Sequence, residues 1–151
     1  MVQRSVVAAC VLLMSSVAAI AKESIYLSSP AMPAVQRVST ANSAREYRLD
    51  AARHLYDAYS PRVLRGRLPP LIHGVLVLDM TVDAAGSTKD VRVVRAPSHA
   101  PDVTAAVVEM IRRASPLPRP AKLGDEVRYT EIWLVHKDGR FQLDALTEGQ
   151  N

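Results

Sequence analysis

The side chains best suited to chemistry in this 151-residue chain are four histidines, a set of aspartates and a series of arginines. His54, His73, His99 and His136 fall in four different segments. None is spaced i, i+4 from another and none has cysteine company, so the spacing of a metal site is absent. They read as exposed or interfacial histidines. Asp79, Asp83 and Asp90 line the polar face of one hairpin. Carboxylates take up acid–base work when their surroundings shift their pKa values, and a solvated face gives no shelter. No serine stands in a G-x-S-x-G setting, and the six glycines form no phosphate-cradling cluster. The residues therefore name no catalytic group, no metal ligand and no cofactor site, and the expectation is a protein that is not an enzyme.

Arg53, Arg62, Arg65 and Arg67 form the one conspicuous basic series. The formal net charge of the chain is only +4, a mild excess that is no nucleic-acid footprint. The series would suit an anionic lipid, glycan or protein surface instead. The first 21 residues explain why export matters here. Arg4 gives a positive start, Ser5 to Ala21 carry no charge, and Ala19-Ile20-Ala21 ends the run on small residues before Lys22. That is the layout of a secretory signal cleaved between Ala21 and Lys22. Left uncleaved, the run would sit at the short end of the roughly 17 to 25 residues that span a membrane, and only then would the chain be membrane-associated. Cys10 is the sole cysteine and lies inside the signal, so the exported chain has no disulfide.

The elements that must position any site follow from periodicity. Residues 22–43, rich in Ser, Pro and Ala, read as an extended leader. Ala44 to Tyr59 places Leu49, Ala52, Leu55, Tyr56 and Tyr59 on one side of a helix, with Ser43 and Glu46 at capping-box spacing. In GVLVLDMTVDAAGSTKDVRVVRAP, residues 74–97, Leu76, Leu78, Met80 and Val82 share one face of a strand, and Val91 and Val93 return on the second. Val103, Ala106, Val107, Met110, Ile111 and Ala114 mark a second helix, stopped by the prolines from Pro116 to Pro120. Its face should pack on Leu76, Leu78 and Leu134. A last hairpin turns at Asp138-Gly139. A two-residue turn there sets His136 against Phe141 and Leu134 against Leu143. Ile132 and Leu134 then face the core, while Trp133 and Val135 face away. The fold expected is α+β: an antiparallel sheet of three to four strands in order 2-1-3-4, with two helices on one face. The domain spans 44–146, followed by a tail, 147–151.

The hairpin, the helix ending in VVEMIRRASPLPRP and the closing strand YTEIWLV together resemble the C-terminal domain of the TonB family, over about residues 62 to 136. The resemblance implies a non-enzymatic periplasmic interaction module, linked to outer-membrane transport, that binds a partner segment by β-strand addition. Three features depart from the family: a cleavable signal replaces the anchor helix, no proline-rich spacer follows it, and the Asp138-Gly139 turn adds the strand FQLDAL, which is expected to cover the edge that a partner would use. Energy transduction is therefore expected only if the N-terminus stays anchored. The partner is expected to be an outer-membrane or periplasmic protein, with a homodimer through a sheet edge as a further expectation. The binding edge is expected along Val127, Tyr129, Glu131, Trp133 and Val135. Trp133 would be an exposed anchor, and Phe141 to Leu146 a short displaceable cover. The competing reading is an envelope-binding module that uses Arg53, Arg62, Arg65 and Arg67.

Overall fold

The computed structural model of the protein describes residues 36–149. The signal segment, its Ala21–Lys22 junction and the leader through residue 35 lie outside the described residues. In chain order the elements are β1 (Val38–Ser39), α1 (Ala44–Ala58), a 3-10 turn (Ser60–Arg62), β2 (Gly74–Asp83), β3 (Thr88–Arg95), α2 (Pro101–Arg113), β4 (Arg119–Pro120), β5 (Glu126–Val135), β6 (Phe141–Leu143) and a second 3-10 turn (Asp144–Leu146).

Four strands form one antiparallel sheet in the order β3-β2-β5-β6, and β1 and β4 form a small parallel pair. This is the α+β architecture and strand order that the sequence implies. α1 starts where its cap chemistry dictates. Ser43 Oγ accepts from the Glu46 N–H at 3.2 Å, and the Glu46 carboxylate reaches back to the Asn42 N–H at 2.7 Å. Both helices cover one side of the sheet. Leu76, Leu78, Met80 and Val82 from β2 join Val103, Val107, Met110 and Ile111 from α2, and Tyr47, Ala51, Ala52 and Leu55 from α1, in a single buried cluster.

Three expectations are corrected. Residues 38–41 belong to the domain and not to a leader: Val38–Ser39 pair with Arg119–Pro120, and buried Ser39 donates to Asp50 at 2.6 Å. Val93 is exposed, because β3 is an edge strand whose register with β2 shifts twice, leaving Lys89 and Val94 as extra residues. The third correction has the largest consequence. The β5–β6 turn has three loop residues, Lys137 to Gly139. Gly139 sits at φ 82°, its N–H bonds the His136 carbonyl at 2.9 Å, and the His136 N–H bonds the Arg140 carbonyl at 2.8 Å. The pairing is thus Trp133 with Leu143, Leu134 with Gln142 and Val135 with Phe141. One added turn residue moves every side chain of β5 to the face opposite the one expected from a two-residue turn. Trp133 and Val135 are buried, and Ile132 and Leu134 lie on the helix-free face.

Candidate functional site

β5 is rich in β-branched and aromatic residues, which fit a pleated and half-buried surface. It is the strand on which the sheet's pairing is uneven. Along one side it matches β2 for ten residues, Glu126 through Val135, with no register shift. Along the other it pairs with β6 at Trp133, Leu134 and Val135 only. Beyond β6 the sheet is closed, since the Leu64 N–H bonds the Phe141 carbonyl at 2.8 Å and Val63 bridges to Phe141. From Glu126 to Ile132, among the described residues, no strand lies on that side.

The direction of the main-chain groups follows from two bonds. The Ile132 N–H bonds the Glu131 carboxylate, and the His136 N–H faces the outer strand. In an antiparallel ladder these groups alternate sides residue by residue. Glu126, Arg128 and Thr130 therefore present their N–H and C=O to the open edge, and their side chains are exposed. Val127, Tyr129 and Glu131 turn their main-chain groups to β2 and bury their side chains. An edge is thus present where the sequence places one, but its outward residues are the alternate set. The missing signal was the register: with the correct turn, the parity of β5 follows.

Glu131 closes the edge at its β6 end. Its carboxylate is 1% exposed. Oε1 accepts from Arg48 Nη2 at 2.7 Å, Arg48 Nε at 3.1 Å, the Ile132 N–H at 3.0 Å and the Ala145 N–H at 3.4 Å. It substitutes for the carbonyl that a longer β6 would bring to Ile132. Arg48 extends the contact to Asp144 at 2.9 Å, tying α1 to the turn after β6. Burial raises the Glu131 pKa, and the hydrogen bonds from Arg48 oppose the rise.

Trp133 is not an exposed anchor. It is fully buried and packs on Phe141 with ring centroids 4.6 Å apart. Nor is Phe141–Leu143 a loose cover. Phe141 and Leu143 are core residues, and Gln142 donates to the Leu64 and Gly66 carbonyls at 2.9 and 2.6 Å. The basic series is also dispersed. Arg53 pairs with Asp50 at 3.1 Å and Arg65 donates to Ser60 at 3.2 Å. Arg62 is buried beside Met110, because the 3-10 turn after α1 points it inward, and Arg67 is exposed.

The groups with chemical potential are occupied structurally. His54 is buried and bonds the Ala114 carbonyl at 2.9 Å, and burial lowers its pKa. His136 lies 2.9 Å from Asp138. His73 and His99, distant in sequence, meet with ring centroids 5.2 Å apart. Among the described residues, no group of three or more His, Cys, Asp or Glu could hold a metal ion. On the helix-free face a shallow cavity of about 460 Å³ contains Asp79, Asp90, Arg92, Arg128 and Thr130. There Asp79 accepts from Thr130 at 2.6 Å and pairs with Arg92, and these bonds lower its pKa. A carboxylate held ionised in this way is a poor proton carrier near neutrality. No protein-family model, no curated protein and no solved structure matches the chain.

Proposed function

We propose that this protein is a non-enzymatic interaction module of the periplasm, similar to the TonB C-terminal domain, that binds an extended partner segment by strand addition. The observation that carries the reading is the half-paired β5: a straight, unbulged strand, fully laddered on one side and open from Glu126 to Thr130 on the other. Such an edge offers main-chain hydrogen bonds to an incoming chain. The β3 edge is the poorer candidate. Its two register shifts and its charged Lys89, Asp90, Arg92 and Arg95 are the features by which proteins discourage edge pairing.

The test uses Arg128→Pro, which removes an outward N–H without touching a bond to β2. Capture of an envelope protein by the purified chain, with identification of the captured species, should be abolished by Arg128→Pro and kept by Arg128→Ala, with both variants folded by circular dichroism. Equal capture by both variants would sink the strand-addition reading.

A further inference from the structure

We propose that the segment after β6, Asp144 to Gly149, is an internal competitor for the open edge of β5. In a second arrangement it continues β6 along β5 and occupies the place of the partner segment. This competition rests on the strand-addition reading for its meaning, and on the β5–β6 register alone for its geometry.

β6 stops after Leu143, where the 3-10 turn Asp144–Leu146 leads the chain away from β5. The observed pairs are Val135 with Phe141, Leu134 with Gln142 and Trp133 with Leu143. Continuing that register sets Asp144 opposite Ile132, Leu146 opposite Thr130 and Glu148 opposite Arg128. On β5 these are the residues whose main-chain groups face outward, so these pairs would exchange about six main-chain bonds. β6 itself stays where it is, because the open edge is the direct continuation of its own ladder.

The side chains match the edge on both faces. On the helix-free face Glu148 would stand beside Arg128, an opposite-charge pair, and Leu146 beside Thr130. On the other face Ala145, Thr147 and Gly149 would fall opposite Glu131, Tyr129 and Val127. That is the side on which α1 lies close, with Tyr47 and Tyr129 at 5.6 Å between ring centroids and Arg48 bound to Glu131. The three positions turned toward the helix thus carry small residues.

Few bonds hold the present arrangement. The turn closes through the Thr147 N–H to the Asp144 carbonyl at 3.3 Å, in a geometry poorer than that of an α-helix. The Gly149 carbonyl accepts from the Leu68 N–H at 2.9 Å, and Thr147 Oγ1 donates to Gln142 at 2.9 Å. The Ala145 N–H reaches Glu131 at 3.4 Å. Closing the edge gives these up, with part of the packing of Ala145 and Leu146 on the core, in exchange for the new ladder. Glu131 stands at the junction, since its carboxylate holds the Ile132 N–H that the Asp144 carbonyl would otherwise take. A partner that binds only the free edge shifts such a balance toward the open arrangement, and self-cover keeps a bare edge from pairing at random.

The experiment is amide hydrogen exchange on the full chain, read at the Thr130 N–H, with the Tyr129 N–H, which faces β2, as the control. Glu148→Pro removes the N–H that would meet Arg128. It suits the present arrangement, because Thr147 sits at φ −72° and ψ 145°, a backbone that favours a following proline, and the Glu148 N–H bonds no described residue. Losing one ladder bond should weaken closure about 2- to 13-fold. The Thr130 N–H should exchange faster by up to that factor, with Tyr129 unchanged. Arg128→Glu, which sets like charges opposite each other, should also speed exchange at Thr130. Capture of the envelope partner by Glu148→Pro should tighten by the factor by which Thr130 exchange accelerates, because both read the fraction of open edge. Thr130 exchange that is the same in wild type and both variants overturns the proposal, even where Arg128→Pro abolishes capture. Faster exchange in both variants, with Arg128→Pro and Arg128→Ala capturing alike, keeps the segment on the edge and removes strand addition instead.

Discussion

Glu131→Ala tests the junction at which the open edge of β5 meets β6. The substitution removes an acceptor used by two main-chain N–H groups and by Arg48. The Ile132 N–H loses a 3.0 Å bond, worth about 1 to 3 kcal/mol if the group stays shielded from water. The Ala145 bond, at 3.4 Å, contributes less. Arg48 is a quarter exposed and keeps Asp144 at 2.9 Å, so its loss is discounted to below about 1 kcal/mol. Against these stands the relief of desolvating a carboxylate whose Oε2 has no hydrogen-bond partner. The net expectation is a loss of about 1 to 3 kcal/mol, read as a lower urea midpoint with an unchanged slope. Glu131→Gln keeps the acceptor and should cost less than half as much. Because burial raises the Glu131 pKa, folding favours its protonated form. That stability is fully present below the unfolded value near 4.3 and is lost as pH rises through the higher folded value. Wild type should therefore gain on Glu131→Gln as pH falls from 7 to 4. An alanine variant within about 0.5 kcal/mol of wild type, or a glutamine variant as damaged as alanine at pH 7, would refute the account.

His54 has the opposite sign. Its burial lowers the pKa, so the folded state favours neutral imidazole, and the stability it contributes is present above the unfolded value near 6.5 and lost as pH falls below it. Thermal melts at pH 7 and pH 5 should show a smaller drop for His54→Gln than for wild type, and identical slopes would count against it. Trp133→Ala should cost about 3 to 5 kcal/mol, because the indole is fully buried against Phe141. A variant with an unchanged urea midpoint but weaker partner capture would instead restore Trp133 to the surface.

The parts of the fold legible in the sequence are those written in long, regular patterns. The alternation from Leu76 to Val82 and the heptad-like spacing from Val103 to Ala114 give a β2 face and an α2 face that meet in one core. Ser43 and Glu46 announce the start of α1 by side-chain chemistry alone. What was not legible depends on a choice among turn geometries. LVHKDGRFQL is compatible with a two-residue loop and with a three-residue loop that ends in a left-handed glycine. The choice is made by packing: the adopted register buries Trp133, Val135, Phe141 and Leu143 together, at the cost of also burying Glu131. That cost is what Arg48 offsets, from a helix 83 residues away in sequence, and no local pattern could have announced the pairing. The candidate edge was legible as a strand but not in its parity. The separation of buried Arg62 from Arg53 on α1 and from exposed Arg65 and Arg67 goes with the 3-10 turn that follows α1.

The corrected register also limits what strand addition can achieve. With Trp133 and Tyr129 buried, the edge offers an incoming segment only the main-chain groups of Glu126, Arg128 and Thr130, about six donors and acceptors in all. At about 0.5 to 1.5 kcal/mol net for each bond, the gain is on the order of 3 to 9 kcal/mol. Association costs at least about 4 kcal/mol in lost freedom, and more to order an extended peptide. The edge alone would then bind at millimolar strength or weaker, with Arg128 and Thr130 as the side chains best placed to discriminate among partners. A module of this kind works best when a second contact raises its local concentration at the partner. Two weak attachments joined through one rigid domain multiply in effect when both can be engaged at once. On the proposed reading, the edge is one attachment of such a pair, and an extended partner segment supplied as a free peptide should bind wild type no more tightly than about millimolar and the Arg128→Pro variant not measurably.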